Sequence, residues 1–113
     1  MEKKFITIKI GINRYRKVFL DDILYCKADR AYSIIQTKDS KYTFCEPLKN
    51  LESLFEMHDS FLHVNRSFIV NLTKCIEFKT GTKSELIIEN GAIILPNQEA
   101  LEQIMIFFNL SKN

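Results

Sequence analysis

The chain has 113 residues, 46% of them hydrophobic and 27% charged, which suits one soluble domain with a core of its own. Its net charge of +2 does not by itself announce a nucleic-acid partner, and no stretch approaches the roughly 20 apolar residues needed to cross a bilayer. The opening MEKKFITIKI lacks the apolar segment of a signal peptide, and three cysteines in no paired spacing argue against a disulfide framework and a zinc site, so the sequence reads as cytoplasmic.

The first element is a strand. Ile6, Ile8 and Ile10 alternate with Thr7 and Lys9, the period of a half-buried strand. A turn at Asn13–Arg14 leads to its partner, Tyr15 to Leu20. Lys3, Lys4, Lys9, Arg14, Arg16 and Lys17 crowd these strands with only Glu2 against them. Such a cluster either tracks phosphates or is a solvated strand face. A third strand is expected at Ile23 to Lys27 and a fourth at Tyr32 to Thr37, separated by the polar, small Ala28–Asp29–Arg30–Ala31. Lys38–Asp39–Ser40 then turns the chain into Lys41 to Cys45. Pro47 suits the first position of a helix. Leu48, Leu51, Leu54 and Phe55 follow at three- and four-residue spacing, predicting an amphipathic helix of about three turns near 47–56.

Phe61 to Val64 and Phe68 to Val70 are short β runs interrupted by Asn65–Arg66–Ser67. Cys75 to Phe78 and Glu85 to Glu89 flank a turn containing Gly81. Asn90–Gly91 reads as a tight hairpin whose two turn residues both take positive φ, completed by Ala92 to Leu95. A closing helix near 98–109 starts close to Asn97 and carries Leu101, Ile104, Met105 and Phe108. Its continuous apolar run, Ile104 to Phe108, implies burial on more than one side or a partner. Many short strands and two helices make one mainly β, antiparallel domain.

An enzyme brings together a nucleophile, a base and a polarising group, and the candidates are thin. His58 and His63 are the only histidines, and His58 follows a helix in a loop. Cys26, Cys45 and Cys75 each sit in an apolar, strand-like run, where a thiol is a protonated core residue. No GxSxG, P-loop, HExxH or Gly-rich signature is present, and three glycines cannot build a phosphate cradle. The chain reads as a non-enzyme with no cofactor, metal or small-molecule substrate.

The informative segment is FLHVNRSFIVNL, Phe61 to Leu72. The bland account of its polar triplet is a tight connection in which Asn and Ser cap their own backbone. That account does not need an arginine. A short loop that raises Arg66 on rigid strands suits reading a base edge or holding a phosphate, because the guanidinium fork makes paired hydrogen bonds.

The same segment resembles the central motif of the LytTR DNA-binding family, which is similar to F-x-R-x-H-[RKN]-S-[FY]-[IV]-V-N. Ser67, Phe68, Ile69, Val70 and Asn71 match it, while His63 stands where an Arg is usual and Asn65 where a His is usual. Leu20–Asp21–Asp22–Ile23–Leu24–Tyr25 resembles the family's opening L-x-D-I-x-Y. Tyr42 and Phe44 followed by Leu48 to Leu54 resemble its strand-to-helix passage, and Ile76 to Leu95 its closing strands. The resemblance covers nearly all of residues 1–113, as one domain. It implies an elongated stack of small antiparallel sheets whose loops enter successive major grooves on one face of a bent duplex.

Three positions follow from that resemblance. The loop after the third strand supplies Arg30 and Tyr32, the central motif Asn65 and Arg66, and the start of the final helix Asn97 and Gln98. The third departs from the family, which often has a basic S-R segment where this chain has Pro96–Asn97–Gln98–Glu99. Asn97 there is either a helix N-cap or, with Gln98, an adenine reader, while Glu99 favours the helix dipole and repels phosphates. Lys27, Lys74, Lys79 and Lys83 are candidate phosphate contacts.

The implied function is sequence-specific binding of double-stranded DNA in transcription regulation, as the output domain of a bacterial two-component response regulator. Family members usually carry it behind a receiver domain. No receiver pattern precedes it here, so the sequence is compatible with a fragment of such a protein or with a single-domain member. A homodimer on repeated half-sites is compatible with this reading. The alternative is a protein-interaction or dimerisation module that keeps the fold and has lost most DNA contacts. The acidic third loop, the modest net charge and the apolar Ile104–Phe108 run motivate it.

Overall fold

Ile6 and Ile8 are buried while Thr7 and Lys9 face solvent, and this alternation makes β1 (Phe5–Gly11) one half of an antiparallel hairpin with β2 (Arg14–Phe19). The computed structural model describes residues 3–110. β3 (Ile23–Asp29), β4 (Tyr32–Thr37), β5 (Lys41–Phe44), β6 (Phe61–Asn65) and β7 (Phe68–Asn71) form a central sheet in the order β5-β4-β3-β7-β6. β8 (Cys75–Lys79), β9 (Glu85–Ile88) and β10 (Ile93–Ile94) form a third sheet in the order β10-β9-β8. Among the described residues two short α-helices, α1 (Leu48–Glu52) and α2 (Leu101–Phe107), complete the fold. All strand pairs are antiparallel. The result is a mainly β stack of small sheets, 52 × 37 × 24 Å, as the family resemblance implied.

The central sheet is covered on both faces. On one, Cys26, Ile35 and Ile69 meet Ile6, Ile8 and Val18 of the first hairpin and Leu48 and Leu51 of α1. On the other, Leu24, Val64 and Val70 meet Leu86, Ile88 and Ile94 of the third sheet and Ile104 of α2. Each Val, Leu or Ile among them contributes about 1.5–3 kcal/mol by leaving water. Double coverage explains why β7 reads as a solid apolar run. Asn71, which ends it, is a buried clamp. Its Nδ2 donates to the carbonyls of Leu20 and Ile23, and its Oδ1 accepts from the Thr73 amide and hydroxyl. The last letter of the central motif therefore ties β7 to the start of β3.

Several local expectations change. α1 is shorter than three turns and tightens into a 3-10 turn at Ser53–Phe55. Ser53 Oγ donates to Asn50 O at 2.9 Å, the local backbone bond that makes serine a poor helix interior. Leu54 is left exposed. The closing helix begins as a 3-10 turn, Gln98–Ala100. It ends at Asn109, whose φ of 59° lets Leu110 N–H reach back to Met105 O at 2.8 Å. Its apolar run is not buried all round: Ile104 is buried, but Ile106 is 68% exposed. At Asn90–Gly91 only Gly91 has positive φ, 91°. The loop is three residues, Glu89–Asn90–Gly91, closed by Gly91 N–H on Ile88 O at 2.8 Å, a turn that needs the left-handed region only at its last position. Cys26 and Cys75 are core residues, whereas Cys45 lies beyond the end of β5 and is exposed.

Candidate nucleic-acid interface

The site begins with strand register. β3 and β7 are neighbours, Lys27 stands opposite Phe68, and Ala28 N–H donates to Ser67 O at 2.8 Å. The end of β3 and the start of β7 therefore lie at the same end of the central sheet. The β3–β4 turn, Arg30–Ala31, and the β6–β7 turn, Arg66–Ser67, both leave from that end. They stand two strand spacings apart, ~10 Å at the backbone.

Asp29 pairs with Tyr32, leaving a two-residue turn. Arg30 occupies it with φ 59°, a conformation that costs an ordinary L-residue roughly 1–2 kcal/mol and that Gly or Asn adopts more readily. Strain of this kind collects at functional positions. The Arg30 side chain is exposed and has no protein partner among the described residues. Tyr32 is 51% exposed beside it. Lys27 is exposed on the same strand face as Tyr32, since alternate residues of β3 and their cross-strand partners share a face.

In the second turn Arg66 and Asn65 do different work. Arg66 is exposed, and among the described residues its guanidinium meets no acceptor. Asn65 is the last residue of β6, and its amide is engaged at both ends. Nδ2 donates to Leu95 O at 2.7 Å, and Oδ1 accepts from Ser67 N–H at 2.8 Å. The first bond fastens the turn to the chain leaving β10, thirty residues away. Sequence reasoning put Asn65 beside Arg66 as a base contact and missed this bracket, because no local pattern announces a partner that distant.

The bracket brings in the third segment. Asn97 N–H donates to Val64 O at 2.7 Å, setting Pro96–Gln98 against the end of β6. Asn97 Oδ1 accepts from Ala100 N–H at 3.0 Å, so the residue is the N-cap of the closing helix. Its Nδ2 remains as a donor, and Gln98 is exposed next to it. Glu99 is exposed too, in the first turn. A shallow groove runs between the two segments, lined by Arg66, Ser67, Phe68, Ile93, Leu95 and Asn97. Arg30–Tyr32, Asn65–Ser67 and Asn97–Glu99 thus form a row along one end of the central sheet, with Arg66 in the middle.

The candidate phosphate contacts divide. Lys27 belongs to the row. Lys79 and Lys83 bracket the end of the third sheet from which β10 departs toward Asn65, and Lys79 Nζ lies 3.6 Å from Glu85. Lys74 is at the opposite end, next to the Glu89–Gly91 turn through Glu89 N–H on Lys74 O, with its Nζ 3.2 Å from Asp21. That ammonium holds the Asp21 carboxyl below its ordinary pKa. Lys74 is not part of this surface. His63 Nδ1 lies 2.7 Å from Glu52 Oε2, joining β6 to α1 behind the row.

Comparison with known proteins follows the same line. A family model described as the LytTr DNA-binding domain matches residues 13–105. No curated protein matches the chain. Among solved structures, one described as the LytTr DNA-binding domain of a methyl-accepting/DNA response regulator from Bacillus cereus superposes with a TM-score of 0.73, at 22% identity, over 95% of this chain and 98% of that one. At this identity the likeness establishes the shared fold.

Proposed function

The chain belongs to the LytTr DNA-binding domain family, and from that premise we propose that it binds double-stranded DNA sequence-specifically to regulate transcription. The family is one of DNA-binding domains, not of enzymes. The observation that carries the finer reading is the row of three exposed segments around an unpartnered Arg66. Arg66 enters a groove and pairs with a base edge through its two-pronged guanidinium. Arg30 and Tyr32 contact the duplex on one side of it, and Asn97 Nδ2 or Gln98 on the other. Lys27 holds a phosphate and sets register without reading sequence. Asn65 is a positioning residue, because both ends of its amide are already bonded.

The row spans three to four strand spacings, ~15–20 Å, whereas successive major grooves on one duplex face are about 34 Å apart. Long side chains cover part of the difference, and bending of the duplex toward the protein covers the rest. Bending adds specificity through the sequences that deform at least cost. The same reading takes the domain as response-regulator output in a cytoplasmic setting; among the described residues no helix is long and apolar enough to cross a membrane.

A gel-shift series in rising salt tests the reading. Affinity falls steeply with salt, and Arg66→Ala costs roughly 1–3 kcal/mol on the preferred site and relaxes base preference at one position. An Arg66→Ala protein with unchanged affinity and preference removes Arg66 from the interface. The exposed Ile106 and Phe107 on α2 favour one addition, pairing of two copies on repeated half-sites. Ile106→Glu then abolishes a concentration-dependent dimer seen by sedimentation.

A further inference from the structure

All of the protein's positive excess resides in the first hairpin. Residues 1–20, the hairpin with its lead-in, carry six cations (Lys3, Lys4, Lys9, Arg14, Arg16 and Lys17) and one acid, Glu2, while the other ninety-three residues carry ten cations against thirteen acids. A net +2 therefore conceals +5 on the hairpin and its lead-in and −3 on the body. Among the described residues none of the six pairs with a carboxylate. All six are exposed. Three lie near aromatic rings: Lys17 Nζ sits 4.3 Å from the Phe5 centroid, Arg16 Cζ 5.0 Å from that of Tyr42, and Lys3 Nζ 6.0 Å from that of Phe19. Rings hold these charges at the surface without neutralising them.

The hairpin also points the right way. Arg16 lies over Tyr42, midway along β5. Lys9 and Tyr15, one step nearer the tip, share a groove with Phe44 and Glu46 at and beyond the end of β5. Phe44 pairs with Ser33, the neighbour of Tyr32. The tip, Ile12 to Arg14, therefore runs toward the end of the molecule that bears the β3–β4 turn, on the side away from Asn97. Its exposed Ile12 and the positive φ of Asn13 make it a projecting turn. The third segment at the far end of the row carries Glu99, so positive charge is weakest there and strongest beyond the first.

We propose that the β1–β2 hairpin grips the phosphate backbone of DNA flanking the recognition site, on the β5 side, through Lys9, Arg14 and Lys17. This rests on the reading that the row binds duplex DNA. The grip is sequence-independent, because lysine and arginine meet phosphates that every base step presents alike. It supplies the charge that the body lacks and lengthens the footprint on one flank only.

The test is a triple variant, Lys9→Gln, Arg14→Gln, Lys17→Gln, compared with Arg66→Ala and the parent protein, with thermal melting to establish that each is folded. Binding is measured on the selected duplex, on a scrambled duplex, and on the selected duplex shortened on either flank. The triple variant should lose affinity equally on selected and scrambled DNA. Its slope of log affinity against log salt should fall by about 2–3, near 0.9 for each phosphate contact removed. Shortening one flank should weaken the parent protein and leave the triple variant unaffected. A triple variant with the parent's slope and affinity, beside an Arg66→Ala protein that binds poorly, overturns the hairpin's role and leaves the row intact. Failure of the parent to bind any duplex at low salt overturns both. A hairpin whose charges govern binding to vesicles of anionic phospholipid, with duplex binding unchanged, overturns the proposal in favour of a membrane surface.

Discussion

Single residues at this surface separate into those that hold it and those that face outward. Asn65 holds. Asn65→Ala removes the bonds to Leu95 O and Ser67 N–H, at a cost of about 1 kcal/mol and a melting temperature roughly 5 °C lower, with base preference unchanged. A variant that melts like the parent but selects a different base would make Asn65 a reader instead. Arg66, with no bonds to lose, should melt as the parent does when replaced by alanine. The cysteines give an independent check on burial. Cys26 is buried and its thiol is pushed far above the ordinary range, and burial also raises the thiol of Cys75. Native protein should therefore take up one equivalent of a thiol-alkylating reagent, at Cys45, and three after denaturation. Labelling of Cys26 under native conditions would contradict the double-covered sheet. The sequence placed Cys45 with the other two because its run looks apolar; where β5 ends is what exposes it.

At the scale of elements, the β3–β4 turn offers the sharpest separation of stability from function. Arg30→Gly relieves the positive-φ strain, offset in part by glycine's freedom in the unfolded chain, so stability should hold or rise by up to about 1 kcal/mol. DNA affinity should fall in the same protein. Chemical denaturation and a binding titration on one preparation read both, and a loss of stability would mean that the strain is not there. The strands were legible because their apolar positions alternate or cluster, as Ile6 and Ile8 or Phe68 to Val70 do. Turn conformations were less so. Nothing in Asp29–Arg30–Ala31–Tyr32 marks a left-handed residue, and Asn90–Gly91 suggested two where only Gly91 is one. The helices shrank because local bonds from Ser53 and the cap at Asn97 draw their ends into 3-10 turns.

For the whole molecule, composition led to the expectation of one domain, and the motif Ser67 to Asn71 pointed to the family whose model matches residues 13–105. Neither could give the order β5-β4-β3-β7-β6, which alone puts Arg30 and Arg66 at one sheet end. Nor could the modest total charge disclose that the hairpin is basic and the body acidic, a division that matters only once the hairpin is seen to run toward the same end. We propose that this end reads DNA with Arg66 at its middle. Selection of bound duplexes from a random pool, run in parallel for the parent and for Arg66→Ala, tests it most directly. The parent should return one enriched motif, and the variant the same motif with preference lost at a single internal position. No enrichment by the parent at low salt, or an identical motif from both proteins, would contradict it.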